Sequence, residues 1–426
     1  MPRGHEVSLG RGVSLAPCRQ RNARLPAGPA GLLKVVHAYK VYTPEVIGGI
    51  PEVIRLIAGG LGESCSSRIL VSRMRGRGGE EMIGEVPVRR VTSLGNLLSM
   101  PLAPTYPISL WADARHADLV AYHAPFPLVD LAVSLHFPRH TALVVHWHAQ
   151  IVAQRRLLPI VAPLIRRTLA RAERIIVSSQ AMIDGSPTLR PFADKCAVIP
   201  FGIEASAWTT LSAEESAKVA ELRARCPRLV VAVGRLVRYK GFDVLIEAMR
   251  KVEGQLTIVG TGPLEHALRR QIAEAGLVHR IQIAGYLPQP QLKCMLHASR
   301  VFVLPSIADN EAFGIAQLEA MACAKPVVNT RLSTGVAWVA RDGVEAVTVA
   351  PGAVDDLANA LEQLLDDDVR AAKLGGAGQQ RVADQFSLTG FLAGVQAVYR
   401  EAVHARQPFA RNTLWSGMSP HQHPDP

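Results

Sequence analysis

The 426 residues carry 47 Lys and Arg against 36 Asp and Glu, a formal charge of +11, and 48% of them are apolar against 19% charged. Such a chain is globular and too long for a single core. It has no run approaching the roughly 18 uninterrupted apolar residues of a membrane-spanning helix and no apolar block at its N-terminus, so a cytosolic protein of two domains is expected. The six cysteines, Cys18, Cys65, Cys196, Cys226, Cys294 and Cys323, are scattered, with no Cys-x-x-Cys pair and no histidine at metal-ligand spacing. Free thiols, not a disulfide framework or a metal centre, are expected. The charge is lopsided: residues 1–201 hold 24 Lys and Arg against 13 Asp and Glu, while residues 202–426 hold 23 of each. Basic asymmetry points to a polyanionic partner. With only 5% aromatic residues and no nucleic-acid motif, an anionic membrane surface is expected and nucleic acid is not.

Residues 1–30, rich in Arg, Pro and Gly without a period, read as a disordered basic extension. Leu32 to His37 reads as a buried strand, followed by a loop ending at Gly48-Gly49 and an amphipathic helix from Pro51 to Leu61, with proline in the first turn where it is tolerated. Short strands recur at Arg68 to Val71, Asp118 to Tyr122, Ala142 to His146 and Arg174 to Val177. Their alternation with helices predicts a parallel sheet covered on both faces. His146 and His148 leave the end of one strand, where ligands of such sheets bind. The stretch from Arg155-Arg156 through Arg166-Arg167 to Arg174, interleaved with aliphatic residues, has two readings: a helix lying in a membrane interface, or a surface helix packed on the sheet.

A polar helical connector, Ser206 to Cys226, leads into a second α/β unit. Its first strand, Leu229 to Val233, runs into Gly234-Arg235-Leu236 and Lys240-Gly241, two cations on one strand-to-helix loop suited to a pyrophosphate. Strands Gln255 to Val259 and Ile281 to Ala284 end at Gly260-Thr261-Gly262 and Gly285-Tyr286. Strand Val301 to Leu304 is stopped by Pro305-Ser306, and a polar loop then enters an Ala/Leu/Met-rich helix at Phe313-Gly314-Ile315. The first amides of that helix, with the positive end of its dipole, can hold a phosphate. Glu311 stands just before it and Glu319 lies within it among core residues, where an unbound carboxylate is costly. Strands Val327 to Asn329 and Val347 to Val349, a helix from Asp355 to Leu365 and a final helix from Leu388 to His404 complete the pattern.

Glu311 and Glu319 with Phe313-Gly314 between them and Ala320-Met321-Ala322 behind resemble the signature of the family 4 retaining glycosyltransferases of GT-B fold. The resemblance extends through Gly234-Arg235-Leu236, Lys240-Gly241, Val259-Gly260-Thr261-Gly262-Pro263 and Pro200-Phe201-Gly202-Ile203, and covers about residues 32 to 400. It implies two Rossmann-like parallel-sheet domains facing each other across a cleft: residues 31–201, on the acceptor and membrane side and completed by the helix 388–404, and residues 202–387, which bind the nucleotide sugar. Residues 405–426 are expected to form a disordered tail. The resemblance makes His148 and Glu311 the catalytic residues. Gly48, Gly49, Arg235, Lys240, Gly260, Gly262, Tyr286, Phe313, Gly314, Ile315 and Glu319 become donor-binding, with Glu311 on the sugar hydroxyls, Glu319 on the ribose and the two cations on the diphosphate.

It implies transfer of a hexose, mannose from GDP-mannose favoured, from a nucleotide diphosphate sugar to a lipid-linked or oligosaccharide acceptor, as in bacterial O-antigen, capsule or exopolysaccharide synthesis. No cofactor and no metal are expected, and Asp366-Asp367-Asp368 reads as solvated surface. The cellular place implied is the cytoplasm, peripheral to the inner face of the membrane. UDP-hexose or UDP-N-acetylhexosamine donors, a sugar-nucleotide 2-epimerase of the same fold and a basic nucleic-acid-binding protein are the rival readings. The chain departs from the family at Ala324 and Ala346, where relatives usually have glycine. If either has φ > 0, alanine costs on the order of 1 kcal/mol there.

Overall fold

The computed structural model describes residues 31–46, 48–97, 100–149 and 158–406. The first sheet is built from β1 (Leu33–Ala38), β2 (Cys65–Ser72), β3 (Gly79–Ile83), β4 (Val86–Val91), β7 (Leu119–Ala124), β8 (Ala142–Trp147), β9 (Arg174–Val177) and β10 (Cys196–Val198), with β5 (Asn96–Leu97) and β6 (Met100–Pro101) forming a separate small ribbon. Its order is β10-β9-β8-β7-β1-β2-β4-β3, so the topological switch lies between β1 and β7. All pairings are parallel, as expected, except the edge hairpin of β3 and β4, which the sequence reading did not include. That hairpin turns at Gly84 with φ 60, a conformation glycine reaches without steric cost.

The second sheet comprises β11 (Leu229–Val233), β12 (Gln255–Val259), β13 (Ile281–Gly285), β14 (Val301–Val303), β15 (Val327–Thr330) and β16 (Ala346–Val349), in the order β13-β12-β11-β14-β15-β16. Every one of its pairings is parallel. Its inner strands β11, β12 and β14 are largely apolar runs buried on both faces, as helix-covered parallel strands must be. The switch point lies between β11 and β14.

The final helix, Leu388–Arg406, leaves the second half and returns to the first sheet. There Phe391, Val395, Val398, Tyr399 and Ala402 pack with Val35, Val53, Ala121 and Val144. Of the Arg-rich stretch, Arg155 and Arg156 lie outside the described residues, as do residues 1–30 and 407–426. In the helix Leu158–Arg171, Ile165 and Leu169 are buried in the core of the first sheet while Arg166 and Arg167 are exposed. Its apolar face is therefore spent on the fold, and the surface-helix reading holds for its described part.

Candidate active site

Ligands of doubly wound sheets sit where loops from the two strands at the switch point diverge beyond their carboxyl ends. In the second sheet those loops carry Arg235 and Lys240 after β11, and Glu311, Phe313 and Gly314 after β14. Gly314 adopts φ 75 and caps the helix Ile315–Ala322. Beyond it, the first amide with a backbone partner is that of Gln317, bonded to the Gly314 carbonyl at 2.9 Å. In the first sheet the corresponding loop follows β1 and carries Lys40, Gly48 and Gly49.

The structure brings these loops together. A Cβ built on Gly48 would stand 3.7 Å from Cδ of Arg235, and one on Gly49 would stand 3.7 Å from Cδ1 of Ile315. Lys40, which the sequence reading passed over, belongs to the same place: burial and the adjacent Arg235 guanidinium push its pKa down. Among the described residues neither Lys40 nor Arg235 has a carboxylate partner, whereas Lys240 pairs with Glu311 at 2.5 Å. Burial disfavours the Lys240 ammonium, but Glu311, helped by Tyr239, outweighs it and raises its pKa. Glu311 also accepts from Ser306 Oγ at 2.9 Å. The loop holding β1 to this cleft is itself clamped by Arg90, a wholly buried guanidinium that reaches the carbonyls of Tyr42 and Thr43 and pairs with Glu81 and Glu45.

Glu319 is half-buried, yet burial pushes its carboxyl up to about 8, with the Glu52 charge adding to the effect. Gly260 and Gly262 have a packing reason to be glycine: side chains there would run into the carbonyls of Gly234 and Leu236 in the neighbouring loop. Tyr286 is exposed, at the end of the edge strand β13. The Asp366 to Asp368 run is absorbed structurally, Asp366 pairing with Arg228, Asp367 capping the next helix through the Arg370 amide and Asp368 pairing with Arg300.

His148 lies at the end of β8, stacked on Phe201 at 6.0 Å, and Phe201 packs edge-on against Phe313 at 5.1 Å. Phe201 therefore couples the histidine of the first half to the helix entrance of the second. The spacing expectation for histidine needs correction, because β1, β7 and β8 lie side by side and bring His37, His123 and His146 onto one face beside His148. Ring nitrogens of His123, His146 and His148 lie within 4.8 Å of one another.

Several of these ring nitrogens already have partners within the protein. His123 uses Nε2 toward His37 and Nδ1 toward His148, and Nε2 of His146 meets the Tyr399 hydroxyl at 2.8 Å. His146 lies over the face of His123, with centroids 4.6 Å apart and planes 20° apart. Burial holds all four imidazoles neutral, lowering His37 and His148 to about 3 and His123 and His146 well below the usual value, with His148 and His37 adding to the effect on both.

Two family models match the chain, "Glycosyltransferase Family 4" over residues 47–207 and "Glycosyl transferases group 1" over residues 214–381. The chain is 30% identical over 362 residues to O-antigen chain mannosyltransferase C of Escherichia coli, covering 83% of this chain and 95% of that one. It is 28% identical to the D-rhamnosyltransferase WbpZ of Pseudomonas aeruginosa, over 83% and 92% of the two chains. Among solved structures it is similar to a sucrose-phosphate synthase from Thermosynechococcus elongatus, with TM-score 0.73, 21% identity and coverage of 88% and 100%. Anabaena Alr3699/HepE in complex with UDP gives TM-score 0.68 at 20% identity, over 86% and 100%.

Proposed function

Since the chain belongs to the family 4 glycosyltransferases of GT-B fold, we propose that it moves a hexose, mannose from GDP-mannose, to a hydroxyl of a lipid-linked or oligosaccharide acceptor in cell-surface polysaccharide synthesis. The observation that carries the donor class is the meeting of Lys40, Arg235, Lys240 and the helix entrance at Gly314 between the two sheets. Lys40 and Arg235, side by side without a carboxylate partner among the described residues, are unfavourable until an anion joins them, and a diphosphate matches these two, the Glu311-paired Lys240 and a helix dipole. The names of the O-antigen mannosyltransferase and the rhamnosyltransferase relatives support the choice of a mannose-type sugar and of a polysaccharide acceptor.

In this reading the diphosphate takes Arg235, Lys40 and the amides after Gly314, and draws Lys240 partly away from Glu311. Glu311, released from full pairing, accepts hydrogen bonds from the sugar hydroxyls. Glu319 holds the ribose, and His148 meets the sugar on the acceptor side. The charge that develops on the leaving nucleotide diphosphate is stabilised by fixed cations and dipoles without a metal. The acceptor hydroxyl attacks from the face of the leaving group, whose phosphate takes the proton, so the anomeric configuration is retained. The protein works at an anionic membrane surface, where lipid-linked acceptors reside.

A thermal-shift panel of GDP, UDP, ADP and dTDP tests the donor class, because a ligand at 100 times its Kd stabilises by about 2.7 kcal/mol. GDP should raise the melting temperature with excess EDTA present, and Arg235→Ala should abolish the rise. A rise with UDP alone overturns GDP-mannose, no rise with any nucleotide overturns the transferase mechanism, and a rise or turnover that requires Mg²⁺ or Mn²⁺ overturns metal independence.

A further inference from the structure

A line of three imidazoles runs across the first sheet to the cleft. It begins at Ser67 Oγ, 3.4 Å from His37 Nε2, continues from His37 Nδ1 to His123 Nε2 at 3.2 Å, and ends from His123 Nδ1 to His148 Nε2 at 2.9 Å. Strand register produces the alignment: His37 on β1 pairs with Ala121 of β7, His123 follows two residues later on the same face, and His123 pairs with His146, two residues before His148. The His123 and His148 planes differ by 6° with centroids 5.1 Å apart. That separation is the span of one hydrogen bond plus the two ring half-widths, so the rings meet edge to edge in one plane, the geometry of an in-line N–H···N bond.

A neutral imidazole has one N–H and one lone pair. His123 must therefore donate to one neighbour and accept from the other, which locks the three tautomers together. Either every N–H points toward His148, whose proton then sits on Nδ1, or every N–H points back toward Ser67, and His148 carries its proton on Nε2. In both arrangements Nε2 of His148 is taken by His123, so a sugar hydroxyl can meet only Nδ1.

We infer that His123, backed by His37 and Ser67, is a positioning residue that fixes both the ring orientation and the tautomer of His148, so that Nδ1 meets the donor sugar in one defined hydrogen-bonding sense. The inference rests on the reading that His148 touches the sugar. Neither His37 nor His123 touches substrate; each acts through the next ring, as the outer partner of a functional histidine does elsewhere.

Histidine-selective ¹⁵N labelling of the full chain reports tautomers directly, with the His148 ring signals identified by their loss in His148→Asn. The wild type should show one neutral His148 tautomer from about pH 6 to 8. His123→Phe keeps an aromatic ring in the slot and removes both nitrogens. It should give averaged His148 signals and lower kcat roughly tenfold or more, while the donor KM and the nucleotide-induced rise in melting temperature change little. His37→Phe should act in the same direction more weakly and carries the test if His123→Phe fails to fold. Unaltered His148 signals in the folded variants overturn the inference, as does one equivalent of zinc in the purified protein, which would make the cluster a metal centre. Averaged signals with unchanged kcat sustain the hold of His123 on His148 and remove instead the reading that His148 touches the sugar.

Discussion

Glu319 shows how one residue can couple ligand binding to protons. Its carboxyl, raised to about 8 by burial and by Glu52, is protonated at neutral pH, whereas an unfolded glutamate titrates at about 4.3. A folded pKa above the unfolded one gives a stabilisation fully present below the unfolded value and lost as pH rises through the folded value. Glu319→Gln should therefore match the wild type in melting temperature near about pH 4 and exceed it near about pH 9. If the ribose hydroxyls donate to Glu319, they favour its charged form, and nucleotide binding near neutral pH should release a proton. Calorimetry in two buffers of different ionisation enthalpy reads that proton, and no release would place the ribose elsewhere. Ala324 is the other residue whose conformation matters: its φ of 53 puts a non-glycine residue in the left-handed region. Ala346 stays in extended backbone within β16, so only the first of the two departures from the family carries strain.

The helix Ile315–Ala322 is the element on which the site turns, and Gly314 sets its entrance. With φ 75 and an added Cβ only 2.5 Å from Leu304 Cδ2 and 3.1 Å from Gln317 Nε2, Gly314→Ala must move either the core or the helix start. A loss of about 1 to 3 kcal/mol in stability is expected, measured by urea unfolding, together with weaker nucleotide binding because the amides shift. Full stability with full nucleotide affinity would contradict this role for the turn. Elements of this kind were legible from the chain: β9, β11 and β12 have the bounds that their apolar runs predicted, and Phe313-Gly314 sits at the helix start the breaker residues indicated. The hairpin β3 to β4 was not legible, since Gly79–Ile83 is largely exposed and polar and lacks the buried run that marked the other strands. His123 escaped because the apolar run of β7 fades at Tyr122, while the strand continues to Ala124. The grouping of His37, His123 and His146 with His148 is a product of strand order, which no local spacing contains. Lys40 was hidden for the same reason: its partner in charge is Arg235, 195 positions away in the sequence.

At the scale of the whole molecule, the excess charge and the fold impose one constraint on membrane binding. The net +11 resides in residues 1–201, but the described apolar side chains Ile165 and Leu169 of the Arg-rich helix are committed to the core. Among the described residues of this helix, what faces a bilayer as charge is the exposed pair Arg166 and Arg167. Attraction without inserted apolar surface is electrostatic, about 1 kcal/mol for each basic residue near an anionic leaflet, and it decays within the roughly 8 Å Debye length of physiological salt. Binding to liposomes containing anionic lipid should thus fall steeply with salt and vanish on neutral liposomes, and replacing Arg166 and Arg167 by Ser should weaken it measurably in co-sedimentation. The same double variant should keep its nucleotide-induced thermal shift, since neither residue lies on the loops that meet at Arg235. Liposome binding that resists high salt would mean that apolar surface elsewhere enters the bilayer, and the exposed Leu94, Leu97, Leu102 and Ile108 would then be the residues to replace. Salt-sensitive binding unchanged by the Arg166 and Arg167 substitutions would move the basic contact to another part of residues 1–201.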